Sequence, residues 1–443
     1  MNPRETALLV LQEIDTKGCK SEEALHRLLS QVAGRPDRAL ATELVNGSVK
    51  YRLQTDFILK RFYHHDFDKA APVLRNILRL GVYQLLHLDR IPRSAAVNEC
   101  VKLARKYKGE HLSRLVNGLL RNIAPENVHL EEWIMRYPPA EQLSIRHSHP
   151  LWLVERWLEQ YGPERTESML RYDNRPPLAG FRINMLKTDP LTLFSRPPFP
   201  ETPWRESGLP SFFFAHDFAR LEPLLKEGVV SVQNPTQGLA CLLMDPEPGS
   251  TLYDMCAAPG GKATFMAELM NNCGRVIALD RAAKKNRLVA ANARALGITI
   301  IDVREGDARS FDPGYPPDCI LLDAPCTGSG VLGRRADLRW RTGKERLREL
   351  TLLQTELLDR AAALLKQGGI LVYATCSVEP EENALQIDAF LRRHPEFRPD
   401  PCPESVPEQY MRQTGIEGSI LTLQGEYEGF DGGFAQRLRK EGV

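Results

Sequence analysis

From about residue 236 onward, short apolar segments with the character of strands alternate with longer segments of helical periodicity. The predicted strands are Thr251–Met255, Val276–Asp280, Thr299–Val303, Cys319–Asp323 and Ile370–Thr375, and the clearest helices are Arg281–Leu296 and Leu347–Leu365. Such alternation leaves few possible folds, because consecutive parallel strands need a helical crossover between them. It predicts an α/β domain with a doubly wound, mostly parallel sheet and helices on both faces.

Residues 1 to about 125 follow a different pattern, with apolar residues at helical spacing and no segment typical of a strand. This pattern predicts a small, all-α helical bundle. Residues 1–140 contain 22 Lys and Arg against 16 Asp and Glu, whereas the whole chain has a net charge of only +1. Such an excess is typical of a module that binds a polyanion, although an ordinary solvated helical surface has the same composition.

A segment of mixed character separates these two regions. Prolines at 125, 138, 139 and 150 predict a linker there, and residues 151–172 again have helical periodicity. Leu178–Asn184 is a predicted strand, and residues 190–235 are typical of a small α+β unit. We therefore expect three domains, at 1–140, 141–235 and 236–443.

The cysteines and the apolar runs exclude several classes of protein. Nine cysteines without a C-x-x-C pair argue against a disulfide framework and a zinc ribbon, so we expect reduced thiols and no metal. No apolar run reaches the roughly 18 to 20 residues that span a bilayer, and the N-terminus lacks the layout of a secretory signal. We expect a cytoplasmic protein without a membrane partner, and nothing in the sequence requires more than a monomer.

A glycine-rich turn follows the first predicted strand, in the segment from Asp254 to Lys262. Adjacent glycines at such a turn let the backbone approach a ligand and direct helix N–H groups towards it. The fingerprint G-x-G-x-x-G and the Walker phosphate loop are both absent. Asp280 ends the second strand, where a carboxylate can accept hydrogen bonds from ribose hydroxyls, and Asp307 follows the third. Each feature alone is more often plain strand-end geometry, but together they predict a nucleoside cofactor.

Two cysteines follow neighbouring strands of the predicted sheet: Cys326 comes after the fourth strand and Cys376 after the fifth. C5 of a pyrimidine is a poor nucleophile, and a thiolate that adds at C6 makes C5 enamine-like. Asp323 is placed to stabilise or protonate the edge of the ring. The alternative is that both thiols are buried residues without a chemical role. That is how we interpret three other cysteines, which we expect to take no part in the reaction: Cys256, Cys273 and Cys319.

These motifs resemble a known family, the bacterial 16S ribosomal RNA cytosine-C5 methyltransferases with an N-terminal NusB-like domain. The resemblance covers essentially the whole chain. Its most specific segments are Arg182–Asn184 with Lys187, Gln233–Gln237, and residues 254–262, 323–330 and 374–383. It implies a multidomain fold: an all-α NusB-like helical bundle, a small α+β subdomain and an α/β Rossmann-like class I methyltransferase domain.

The resemblance also implies roles for individual residues. Cys376 would be the nucleophile that attacks C6, Cys326 would assist release of the methylated product, and Asp323 would hold the cytosine. The implied cofactor is S-adenosyl-L-methionine, and the implied partner is 16S ribosomal RNA, which the helical domain would help to grip. The residues expected to bind the cofactor are Cys256, Ala257, Ala258, Pro259, Gly260, Gly261, Lys262, Asp280, Asp307 and Asp323.

Several alternatives stay open at this point. Cys326 and Cys376 could exchange roles, the RNA could be a transfer RNA or another ribosomal RNA, or the protein could be an RNA-binding or chaperone-like protein with a vestigial methyltransferase fold. Ala263 and Gly433 depart from the usual motifs of the family, beside the expected chemistry rather than on it. A last expectation concerns three arginines that follow the segment with Cys326, namely Arg334, Arg335 and Arg339. These arginines would either contact RNA phosphates or form an ordinary solvated surface.

Overall fold

The computed structural model describes residues 1–199, 204–216, 218–411 and 414–442. It divides the chain into two compact units: Met1–Asn174 with Arg335–Arg341, and Arg175–Arg334 with Thr342–Val443. The three-domain division expected from the sequence stays a prediction, and residues 200–203 and 217 of its α+β part lie outside the described residues. None of the described helices is long and apolar enough to cross a membrane.

The first unit is all-helical, as predicted. Its helices are α1 (Pro3–Lys17), α2 (Ser21–Leu29), α3 (Arg35–Lys50), α4 (Arg52–Phe62), α5 (Pro72–His87), α6 (Arg93–Asn122), α7 (Leu130–Ile134), α8 (Pro139–His147), α9 (Leu151–Asn174) and α15 (Leu338–Arg341). Helix α5 packs against α1, α3, α4 and α6, because its apolar residues occupy several faces and Ile77, Leu78 and Leu80 are all fully buried. Helix α6 bends at Gly109, where φ is 81°.

The linker predicted at 125–150 is wrong, since α7 and α8 lie within it. Proline usually interrupts a helix, and the prediction rested on that. Pro139, however, occupies the first position of α8, where a backbone N–H would have no helical partner in any case. Its fixed φ angle suits that position, and the helix continues normally after it.

Residues 335–341 return to the first unit and pack among its helices, and this corrects the expectation for Arg339. The Arg339 side chain is fully buried and donates hydrogen bonds to the backbone carbonyls of Lys50, Ser148 and Asp173, at 3.2, 3.3 and 2.9 Å. The neighbouring Trp340 donates from its indole to the carbonyl of Val49 at 2.7 Å. Arg339 is therefore a structural residue, with no face left for a phosphate.

The second unit begins with a small antiparallel sheet. Its strands are β1 (Ala179–Ile183), β2 (Trp204–Glu206), β3 (Phe212–Ala215) and β4 (Val230–Val232), in the order β2-β3-β1-β4, with helices α10 (Pro190–Ser195) and α11 (Phe218–Glu227). Aromatic rings fill the small core, where Phe181 stacks on Phe213 and Phe194 stacks on Trp204. The strand and the α+β character predicted here are confirmed.

A large sheet forms the rest of the second unit. Its strands are β5 (Thr251–Asp254), β6 (Arg275–Asp280), β7 (Ile301–Glu305), β8 (Cys319–Asp323), β9 (Ile370–Thr375), β10 (Phe397–Pro399), β11 (Ser419–Thr422) and β12 (Gly433–Lys440). The helices between them are α12 (Pro235–Met244), α13 (Gly261–Leu269), α14 (Ala283–Leu296), α16 (Lys344–Leu364) and α17 (Ala384–Arg393). All five predicted strands are present, although β7 begins two residues later than expected.

The strand order is β10-β12-β9-β8-β5-β6-β7, with β5 to β9 parallel and β12 antiparallel to β9. The doubly wound sheet is confirmed, but the sequence did not predict the antiparallel strands at one edge. The chain runs outward from β5 to β7 and then returns to the other side of β5 with β8. Ligands bind outside the carboxyl ends of strands at such a reversal, so β5 and β8 mark the candidate site.

Candidate active site

Arg182, on β1 of the small sheet, supports the first turn of α13. It donates to the carbonyl of Gly261 at 2.9 Å and to the carboxylate of Glu268 at 2.6 Å, and both side chains are buried. Burial raises the pKa of Glu268 even though Arg182 opposes that shift. These contacts of Arg182 therefore fix the glycine turn at the start of α13.

Asn184 and Lys187 hold the C-terminal end of α14 in a similar way. The Asn184 amide donates to the carbonyl of Leu296 at 2.9 Å, and the Lys187 ammonium donates to that of Ala295 at 3.1 Å. Helix carbonyls in the last turn lack partners within the helix, and such donors satisfy them. The segment containing Arg182, Asn184 and Lys187 thus positions the two helices that border the site.

The turn between β5 and α13 requires glycine at position 260. Gly260 has a φ of 102°, and a Cβ there would lie 3.1 Å from Val289. No side chain caps α13, so the N–H groups of its first turn are open to a ligand. This geometry fits a negatively charged group at the start of the helix.

A cleft of about 190 Å³ lies at the carboxyl ends of β5 and β6, and Cys256, Asp280 and Asp307 all line it. Asp280 accepts a hydrogen bond from the Ala282 N–H at 3.0 Å. Asp307 is paired with Arg309 at 2.7 Å, and this hydrogen bond lowers the pKa of Asp307 to about 2. Three of the residues expected to bind the cofactor therefore share one cleft, with both carboxylates available as acceptors.

Asp323 pairs with Lys262 at 2.7 Å, a contact that the sequence did not predict. Burial opposes the charge of Lys262, but the Asp323 carboxylate outweighs burial and raises the pKa of Lys262. Both side chains border a small cavity that also contains Cys376 and Gln237. A fixed ammonium thus lies beside the predicted nucleophile.

The sulfur atoms of Cys326 and Cys376 are 3.3 Å apart, so the structure brings together the two thiols predicted from the sequence. The hydrogen bond to Cys376, together with burial, raises the pKa of Cys326 well above its usual range. Two adjacent thiols cannot both ionise easily, because like charges repel at this distance. The thiolate form is therefore disfavoured at Cys326 while Cys376 is its neighbour.

Glu382 joins the loops that carry the two thiols. Its fully buried carboxylate accepts a hydrogen bond from the Thr327 N–H at 2.9 Å and one from the Gln354 amide at 3.0 Å. Burial raises the pKa of Glu382. Glu382 lies in the segment 374–383 that carries the resemblance, but the sequence predicted no role for it; the signal available was a glutamate six residues after a predicted catalytic cysteine.

Asp254, at the end of β5, has a fully buried carboxylate whose two oxygens accept no hydrogen bond from the described residues. Burial and the neighbouring Asp323 carboxylate raise its pKa to about 8. A protonated carboxyl avoids most of the cost of burying a charge. Asp254 is therefore a neutral acid near neutral pH.

Arg334 is engaged in the second unit, which corrects the expectation that it contacts phosphate. Its guanidinium donates to the Asp431 carboxylate at 2.7 Å and to the carbonyl of Leu178 at 2.8 Å. Of the three arginines in that expectation, Arg335 is the one with an exposed side chain. No group of three or more His, Cys, Asp or Glu in the described ranges could hold a metal ion.

Three family models match the chain. The model described as 16S rRNA methyltransferase RsmB/F matches residues 241–439, and the NusB family model matches residues 1–125. A model described as the RsmF/B-like ferredoxin-like domain matches residues 149–196. The matched ranges fall on the large sheet, the helical unit and the segment that leads into the small sheet, respectively.

Similar proteins match over nearly the full length. A probable ribosomal RNA small subunit methyltransferase B of Synechocystis sp. is 35% identical and covers 99% of this chain and 100% of the relative. A protein of Bacillus subtilis with the same description is 33% identical, with 99% of each chain covered. The crystal structure of PH0851 has a TM-score of 0.80 and 27% identity, with 99% of each chain covered.

Proposed function

Since the chain belongs to the RsmB/F family of 16S rRNA methyltransferases, we propose that it methylates C5 of a cytosine in 16S ribosomal RNA through a covalent Cys–C6 adduct. The resemblance noted in the sequence is thereby confirmed at the level of the family. The observation that carries the finer proposal is the 3.3 Å pair of thiols beside the ion pair of Lys262 and Asp323.

Cys376 is the attacking group. Its thiolate forms a bond to C6, and the electron density displaced from the C5–C6 double bond moves into the ring, where Asp323 orients the polar edge. Lys262 stabilises the negative charge of the thiolate before attack. C5 is then nucleophilic and takes the methyl group.

Cys326 removes the C5 proton in the second half of the reaction. Before attack, its pKa is raised by the hydrogen bond to Cys376 and by burial. Once Cys376 is bonded to C6, its negative charge is gone, so Cys326 ionises more readily at the stage where a base is needed. Loss of the proton restores the C5–C6 double bond, and the bond between C6 and Cys376 breaks.

The residues at the carboxyl ends of β5 and β6 fit S-adenosylmethionine, which supplies an electrophilic methyl group when bound. The uncapped first turn of α13, which follows the left-handed turn at Gly260, suits its carboxylate. Asp280 and Asp307, in their shared cleft, suit the ribose and adenine. We assign binding to the whole turn from Cys256 to Lys262 with Asp280, Asp307 and Asp323.

The other parts of the chain receive roles by the same proposal. Residues 1–140 and 141–235 would bind RNA, and residues 236–443 would carry out the chemistry, in a monomer located in the cytoplasm. A stacked cytosine cannot present C6 to a thiol, so the target base must leave its stack or lie in a single-stranded loop.

Tritium release tests the proposal. The substrate is a 16S RNA transcript whose cytosines carry tritium at C5, and the methyl group of the cofactor carries carbon-14. One tritium atom released for each methyl group gained is the expected result, and Cys376→Ser should release none. Methyl transfer with full retention of tritium would exclude C5 as the acceptor.

A further inference from the structure

The segment from residue 281 to residue 300 contains five basic residues and no acidic one. The basic residues are Arg281, Lys284, Lys285, Arg287 and Arg294, and all five are exposed. Most of this segment is α14. The chemistry described above uses the carboxylate of Asp280 just before this segment and none of its cations.

Two of the five cations border the cofactor cleft, and the other three form a separate surface. Arg281 and Lys285 line the cleft with Asp280. Lys284, Arg287 and Arg294 follow one another at intervals of three and seven residues, which places them on one face of the helix. We call these three residues the α14 ridge; it extends for about 15 Å along the helix.

The charges of the α14 ridge have no partner of opposite charge within the described part of the second unit. None of its side chains forms a hydrogen bond or an ion pair with any residue in the described part of the second unit, whereas other exposed cations of that unit, such as Lys226 and Arg346, do. Lys284 also lies in the first turn of α14, which has no acidic residue. The helix dipole is positive there, so a lysine at that position does not serve the stability of the helix.

The ridge is held rigidly. Asn184 and Lys187 bind the carbonyls at the C-terminal end of α14, and the Asn286 side chain donates to the carbonyl of Asp280 at its N-terminal end, at 3.0 Å. Ala291, which lies between Arg287 and Arg294 in the sequence, is exposed and has a short side chain. A fixed row of exposed, unneutralised cations fits an extended polyanion better than a single small anion.

We propose that the α14 ridge contacts the phosphate backbone of the substrate RNA. This proposal rests on the proposed function and identifies a surface that binds the RNA. Phosphate contacts fix register and orientation without reading sequence. Because Asp280 immediately precedes this segment and lines the cofactor cleft, RNA held at the N-terminal end of the ridge lies near the methyl donor.

The test measures the affinity of the full-length protein for a 16S RNA transcript as a function of salt. The ridge variant combines Lys284→Gln, Arg287→Gln and Arg294→Gln. The matched control combines Lys226→Gln, Arg346→Gln and Arg398→Gln, which removes the same charge from exposed side chains that are ion-paired in the second unit. Binding of S-adenosylhomocysteine by calorimetry reports whether each variant is folded at the cofactor cleft.

The ridge variant should bind RNA about 10-fold or more weakly at 0.1 M KCl, because three phosphate contacts are lost. The slope of log K against log salt should fall by about 2, whereas the control variant should change affinity less than about threefold. S-adenosylhomocysteine should bind all three proteins equally. Equal RNA affinity and equal salt slope in the ridge and control variants would overturn the proposal that the α14 ridge contacts RNA. Failure of the wild type to bind the transcript would overturn the proposed function itself.

Discussion

Replacing Glu382 by Leu is expected to slow product release far more than adduct formation. The Glu382 carboxylate accepts hydrogen bonds from the N–H and the hydroxyl of Thr327, at 2.9 and 2.5 Å, and from the Gln354 amide at 3.0 Å. Thr327 directly follows Cys326, so these bonds fix the backbone beside the proposed release group. Leucine has a similar size but accepts no hydrogen bond.

The size of the effect follows mainly from the Thr327 N–H, which is left without an acceptor, since the Thr327 hydroxyl still has Ser377 and the Gln354 amide still has the Pro325 carbonyl as a partner. Each buried donor without a partner costs about 1–3 kcal/mol, and removal of the buried carboxylate returns part of that cost. A net penalty of about 2.7 kcal/mol on the arrangement in which Cys326 acts corresponds to about 100-fold in rate. Glu382→Gln is the matched control, because its amide oxygen still accepts and its NH₂ donates to the Thr327 hydroxyl; we expect it to stay within about tenfold.

The assay is a quenched single turnover with 16S RNA and S-adenosylmethionine, with the covalent adduct and the methylated RNA separated on a denaturing gel. Glu382→Leu should form the adduct at nearly the wild-type rate and release methylated RNA about 100-fold more slowly. Release at the wild-type rate in the Leu variant would refute the reasoning. So would a Gln variant as slow as the Leu variant, because charge rather than hydrogen-bond geometry would then matter.

Three further predictions concern stability. The pKa of Asp254 is about 8 in the folded protein against 3.8 ordinarily. As pH rises from 3.8 to about 8, the free energy of unfolding of the wild type should therefore fall relative to that of Asp254→Asn, by up to about 1.4 kcal/mol per pH unit, and above this range the two should run parallel. Denaturant titrations that stay parallel at every pH would contradict this. Arg339→Met should destabilise the first unit by about 3 kcal/mol, whereas exposed Arg335→Ala should change stability by less than about 0.5 kcal/mol, as calorimetry can compare. Gly228→Ala should lower the melting temperature clearly more than Gly249→Ala, although both glycines have positive φ. A Cβ at position 228 would lie 1.9 Å from a backbone carbonyl of α14, whereas one at position 249 would meet nothing within 4 Å. Equal shifts in melting temperature would refute the clash.

Much of the fold was readable from the sequence because its signals are local. The five parallel strands are short apolar runs with helical segments between them, and the helices of the first unit have clear periodicity. Strand β12 gave no such signal, since its pairing with β9 depends on a partner about 60 residues away. The helices at 125–150 were missed because proline at a first helical position looks the same in sequence as proline in a linker.

The candidate site was predictable where spacing along strands determines proximity. Cys326 and Cys376 follow adjacent parallel strands, so their proximity was expected, and the structure places the two sulfur atoms 3.3 Å apart. The pairing of Lys262 with Asp323 and the acceptor role of Glu382 depend on side-chain directions that no periodicity encodes. Arg339 was assigned to the surface because arginines usually lie there, and only the packing of residues 335–341 with the helical unit buries it.

The central claim is that Cys376 forms the covalent bond and Cys326 ends it. The most direct measurement is a denaturing gel of the wild type, Cys326→Ala and Cys376→Ala after incubation with 16S RNA and S-adenosylmethionine. The account predicts that a slowly migrating protein–RNA adduct accumulates in Cys326→Ala, because methylated RNA cannot be released, and is absent from Cys376→Ala. An adduct that accumulates in Cys376→Ala instead would contradict the assignment and exchange the roles of the two cysteines.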